Sequence, residues 1–176
     1  MTKKTEEKLK EFGADAGIKI FGLAHVPDDW VNQLKTYHKV EVTPRNTARM
    51  RLTVTAMYVE LLIARLEDLL TPKEKAILER EVMEMIAHML KIVDFSGQED
   101  AKEAATDIEN MLMLTISSHR EYEAKHNLTI PQTYAASFAQ TFMHIPEQLL
   151  TGYIDMKVQL LEDEKLREKF MRELDR

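Results

Sequence analysis

Cysteine is absent from the chain, which removes disulfides, thiol nucleophiles and thiolate sites for zinc or iron–sulfur clusters together. Glycine and proline are scarce, five of each in 176 residues, so long uninterrupted elements are expected. Aromatics are few and methionines many, one Trp and six Phe against eleven Met, the composition of an adaptable helical core. No apolar run approaches the ~18 residues of a membrane span. The opening Met1 to Glu7 leads into no apolar signal-peptide core, and a cytoplasmic location is the resulting expectation. A basic stripe is missing too. The net charge is −6, and segment 96–127 carries three basic residues against seven acidic ones. That balance argues against a nucleic-acid-binding role, leaving Arg45, Arg49 and Arg51 as one small patch able to touch a phosphate.

What is present is helical periodicity. Over 45–70, Leu52, Ala56, Val59, Ile63, Leu66 and Leu70 step by four and three, and a second stripe of Met50, Val54, Met57, Leu61 and Ala64 lies on nearly the opposite side. A helix apolar on two sides is buried on two sides. It is either the central helix of the fold, or its second face meets the N-terminal section or another subunit. Thr71-Pro72-Lys73-Glu74 reads as a capping box with proline at the first helical position, starting a helix over 72–94. Phe95-Ser96-Gly97 turns the chain into a third helix, 98–126, with Ala101, Ala104, Ala105, Ile108, Met111, Leu112, Thr115 and Tyr122 on one face. Asn127 stops it. A fourth element begins at Thr129-Ile130-Pro131 and runs along Tyr134, Phe138, Phe142, Ile145, Leu149, Tyr153, Met156 and Leu160, kinked or broken near Pro146. Beyond Leu161 the apolar seam fades, and the pairs Asp163–Arg167 and Glu168–Arg172 support an exposed helix.

Residues 1–43 read as an appendage: a short charged helix over 3–12, a turn bracketed by Gly13 and Gly17, an apolar stretch over 18–26 as a strand or extended arm, a short helix from Pro27 to about His38, and an extended Val40-Glu41-Val42. The fold class is therefore all-α, an antiparallel bundle of four or five long helices over 44–176, joined by short turns, with that N-terminal appendage.

Several polar residues invite a chemical reading. Bundles hold metals between facing carboxylates and histidines, and Glu60, Glu84, His88, Glu109, His119 and Glu147 are the available candidates. Counting helix depth from the Thr71 corner puts Glu60, Glu84, Glu109 and Glu147 in one layer. Direction opposes the site: at ~100° per residue Glu84, His88, His144 and Glu147 point away from their own apolar stripes, and Glu109 sits at a boundary. The spacings, Glu-x-x-x-His and His-x-x-Glu, also depart from the Glu-x-x-His of metal bundles. No metal or other cofactor is expected.

Glu60, flanked by Ala56, Met57, Ile63 and Ala64, needs a partner if it is buried. Arg49, Arg65 or a residue from another helix can supply a structural ion pair. His119 lies on an apolar stripe, where a hydrogen bond to Thr115 or to a carbonyl is the plain expectation. The same depth count separates Glu60 and His119 by about 13 Å, which does not make one site. No Gly-rich phosphate loop, GxSxG elbow or His-Glu-x-x-His is present. Ser117 and Ser118 beside His119 diverge around a helix, and Glu81-x-x-Glu84 lacks the second acid pair of all-α pyrophosphatases.

The functional expectation is a non-enzymatic helical-bundle interaction or assembly protein whose partner is itself or another protein. The alternative is a carboxylate/histidine metal-binding bundle enzyme.

Overall fold

The computed structural model describes residues 2–25, 28–37, 39, 44–94, 101–141 and 165–175. These fold as α-helices with no strand among the described residues: α1 (Lys3–Leu23), α2 (Asp28–Tyr37), α3 (Pro44–Leu66), α4 (Pro72–Asp94), α5 (Ala101–His126), α6 (Ile130–Thr141) and α7 (Lys165–Glu173), with one 3-10 turn at Glu67–Leu69. No described helix is long and apolar enough to cross a membrane.

Helix α3 is central. Val54, Ala56, Met57, Val59, Leu62, Ile63 and Leu66 are all buried, and α1, α4, α5 and α6 pack around it. Both of its stripes are thereby covered for most of their length, Ala64 alone being exposed, and each buried apolar residue removes surface from water, at roughly 25 cal/mol per Å².

The ends of the helices follow their sequence signals. Thr71 N donates to Glu74 Oε2 (2.9 Å) and Glu74 N to Thr71 Oγ1 (3.4 Å), the reciprocal capping box that starts α4. Thr129 and Gln132 repeat the arrangement at α6. At the end of α5, Asn127 adopts φ 54° and Leu128 N donates to Glu123 O, closing the helix in a Schellman motif.

The N-terminal section departs from expectation. Residues 3–23 form one continuous helix: there is no turn between Gly13 and Gly17, and 18–23 is helical rather than extended. The reason is close packing. A Cβ at Gly13 would lie 2.8 Å from the Glu81 Cβ, and one at Gly17 2.8 Å from the Met85 Cβ. Two glycines four residues apart thus form a groove that admits α4, and contact with α4 offsets the cost of glycine inside a helix. Leu9, Phe12, Ile20 and Ala24 are buried, which places α1 within the packed body. Residues 40–43 lie outside the described residues.

The chain end is also docked. Phe170 is fully buried and meets Phe12 edge to face at 5.0 Å, a geometry worth about 1 kcal/mol beyond area burial. Arg167 binds Asp68 with two nitrogens, each at 2.7 Å, and donates to the Arg65 carbonyl. Of the two ion pairs expected here, Asp163–Arg167 involves a residue outside the described set and Glu168–Arg172 does not form; Lys169–Glu173 does, at 3.6 Å. The expected kink at Pro146, and the stripe from Phe142 to Leu160, fall outside the described residues.

Candidate functional site: a buried charge cluster under α5

Glu60 on α3 is 3% exposed, and burying a carboxylate without a partner is costly. Its partner comes from α5. Arg120 Nε donates to Glu60 Oε1 at 3.0 Å, and Arg120 Nη2 donates to Glu79 Oε1 on α4 at 2.6 Å. One guanidinium thus ties three helices together, using the fixed fork of donors that distinguishes arginine from lysine. Tyr134 of α6, fully buried, closes the cluster on the fourth side, and its ring stacks on His119 at 4.1 Å with 10° between the planes.

The protonation chemistry is set by burial. Desolvation raises the Glu60 carboxyl to about 7; the nearby Tyr134 hydroxyl and Arg120 oppose the rise, and Glu123 adds to it. Glu123 is itself pushed up by burial, with Arg120 opposing. Burial also works against the Arg120 charge, but Glu79 and Glu60 outweigh it and the net shift is upward. The Tyr134 hydroxyl is driven well above its ordinary range by burial and by the neighbouring carboxylates. His119 is lowered by burial. Its Nδ1 lies 2.6 Å from the Thr115 carbonyl; a carbonyl only accepts, so Nδ1 carries the proton and Nε2 the lone pair. Glu60 Oε2, Glu123 Oε1, His119 Nε2 and the Tyr134 hydroxyl are buried without a partner at full hydrogen-bond geometry among the described residues.

The candidate residues sort clearly. Glu60 and His119 are brought together against Tyr134, contrary to the axial separation inferred by counting. That count assumed an up-and-down bundle whose helices meet at their corners without axial offset; here Arg120 of α5, rather than Glu109, meets Glu60. Glu84 is exposed and lies 3.6 Å from Arg80 on its own helix, and His88 is exposed. Glu109 is half-buried. His144 and Glu147 lie outside the described residues. No three acidic or histidine side chains converge as metal ligands among the described residues. Arg51, proposed as a phosphate contact, turns against α1: its guanidinium lies 4.1 Å from the Phe21 ring centre and donates to the Phe21 carbonyl. The side chains of Arg45 and Arg49 are outside the described set.

Arg120, Glu79 and Tyr134 were not singled out from sequence as site residues, whereas Glu123 was weighed there beside His119. One signal was available, since Arg120 is the only arginine between Arg80 and Arg167 and a buried Glu60 demands a cation. A small pocket of about 130 Å³ opens beside the cluster, lined by Ser118, His119, Tyr122, Thr133, Ala136 and Ser137. With Nδ1 held by a carbonyl rather than a carboxylate, His119 is not set up as the base of a serine triad.

The clamp also fixes which face of α5 turns outward. Ile108, Leu112 and Ile116 are buried, while Met111, Met113 and Leu114 are 44%, 43% and 67% exposed. Met111, placed on the inner stripe by sequence, is therefore on the outer surface. Asp107, Met111, Leu114, Ser118, Glu121 and Lys125, all exposed, recur at alternating spacings of four and three, the period of a helix–helix seam.

No family model, curated protein or solved structure matches the chain.

Proposed function

We propose that the protein is a non-enzymatic assembly module that pairs with a second copy of itself along the outer face of α5. The observation carrying this reading is the exposed seam running from Asp107 through Met111 and Leu114 to Lys125. Met111 and Leu114, exposed side by side on the seam and rimmed by charge, offer apolar surface to another chain. The occupant follows from the charges. Asp107 and Lys125 lie at opposite ends of the seam, so two antiparallel copies centred near Ile116 set each Asp107 beside the partner copy's Lys125 and each Leu114 beside the partner copy's Ser118. A two-fold axis makes every such contact occur twice.

The buried cluster then has a mechanical role. Arg120 holds α5 on α3 and α4, so the seam is presented on a helix that does not roll. The test is sedimentation equilibrium of the wild type and of Leu114→Glu over a range of concentrations. Reversible dimerisation in the wild type and its loss in the variant support the reading. A wild type that remains monomeric at the highest attainable concentration rejects it.

A further inference from the structure

A second feature stands apart from the α5 seam. Helices α1, α3 and α7 border a pocket of about 320 Å³. That volume lies at the lower end of ordinary small-molecule sites. Its lining is divided by chemistry. Phe12, Ile20 and Leu62 are buried and, with Ala16 and Leu166, form an apolar floor, while every charged residue stands on the rim.

The rim carries three cations, Lys19, Lys169 and Arg172, against two acids, Asp15 and Glu168. Lys169 reaches over the pocket wall, its ammonium 5.9 Å from the Phe12 ring centre, and its ion pair to Glu173 is long and partly exposed. The Arg172 side chain makes no hydrogen bond or ion pair with a described residue, although Glu168 stands one helical turn before it. A guanidinium left open beside an apolar cavity is a ready partner for a carboxylate.

We infer that this pocket binds a small amphipathic monoanion, a medium-chain aliphatic carboxylate, with the chain on the floor of Phe12, Ile20, Leu62 and Leu166 and the carboxylate at Lys169 and Arg172. Burial of the alkyl chain supplies affinity through apolar area, and the cations select for charge. Because α7 forms one wall and is held to the body by Phe170 and by Arg167 on Asp68, the ligand also braces the chain terminus against α1 and α3.

The experiment uses the full chain, isotopically labelled, titrated with sodium octanoate and, in parallel, with octan-1-ol and octylammonium. Amide shifts report both saturation and location. Saturable shifts confined to residues 12–20, 62 and 166–172 are expected with octanoate. Octanol should bind about tenfold more weakly, and octylammonium should give no saturable shift. Lys169→Glu with Arg172→Glu, both on the rim, should lower octanoate affinity by about tenfold or more. Ala16→Trp, which fills the cavity from its wall, should abolish binding. If Ala16→Trp fails to fold, the two rim substitutions carry the test alone. Non-saturating shifts, shifts centred elsewhere, or binding of octylammonium equal to that of octanoate overturn the inference, and so does octanoate binding indifferent to the rim substitutions.

Discussion

Arg120 donates to Glu60 across 3.0 Å, and this single pair fixes how α5 meets the central helix. Glu60 is almost wholly buried, Arg120 is partly exposed and shared with Glu79, so the pair is asymmetric. Above pH 7, where Glu60 is ionised, removing the cation strands a buried carboxylate, whereas removing both partners strands nothing at that position. Arg120→Met should therefore cost about 2–3 kcal/mol, less than a fully buried pair because the guanidinium keeps some solvent. Adding Glu60→Leu should restore most of that loss. Urea unfolding of the two single variants and the double variant measures the coupling; additive losses would contradict the clamp.

The same burial makes stability depend on pH. With its folded value near 7 against a reference of 4.5, Glu60 is held protonated more tightly in the folded protein than in the unfolded chain. Its contribution is full below pH 4.5 and is lost as pH rises through about 7, to an extent on the order of 3 kcal/mol. Glu60→Gln should flatten this fall while keeping an acceptor for Arg120. Glu123, shifted in the same direction, leaves some slope in the variant. Urea midpoints between pH 4.5 and 8 read the effect, and an unchanged slope in Glu60→Gln would contradict it.

Three glycines of one helix should respond with different signs. Gly13→Ala and Gly17→Ala each drive a methyl group into α4 and should destabilise by about 1–3 kcal/mol. At Gly22 an added Cβ meets nothing within 4 Å, so Gly22→Ala should stabilise by up to about 1 kcal/mol through helix propensity. Thermal melts distinguish the two. Equal effects at Gly17 and Gly22 would mean that α1 does not pack closely on α4.

How much of this was legible in the sequence depended on the range of the signal. The limits of α4, the capping box at Thr71 and Glu74 and the stop at Asn127 depend on neighbours within a turn or two, and local chemistry specifies them. The double stripe of α3 required burial on two sides, and burial on two sides is found. The N-terminal helix was misread because glycine has two uses, loosening a chain or admitting a neighbour, and only the facing residues Glu81 and Met85 decide which applies. The charge cluster was half legible. Glu60 announced its need for a partner, but the partner's identity depended on the axial offset of α5, which no local pattern encodes. Phe170 was hidden for a similar reason: Leu166, Phe170 and Leu174 suffice to dock a short charged helix when a facing aromatic, Phe12, meets them.

The antiparallel pairing of two α5 seams is open to direct test by oxidation of engineered cysteines, because the chain has no native cysteine. Asp107→Cys with Lys125→Cys places thiols at both ends of the seam, within bridging range only if the two helices run antiparallel about Ile116. The double variant should oxidise to a covalent dimer of twice the chain mass, while each single variant remains uncrosslinked. A double variant that stays monomeric on oxidation, or single variants that crosslink as readily, would contradict it.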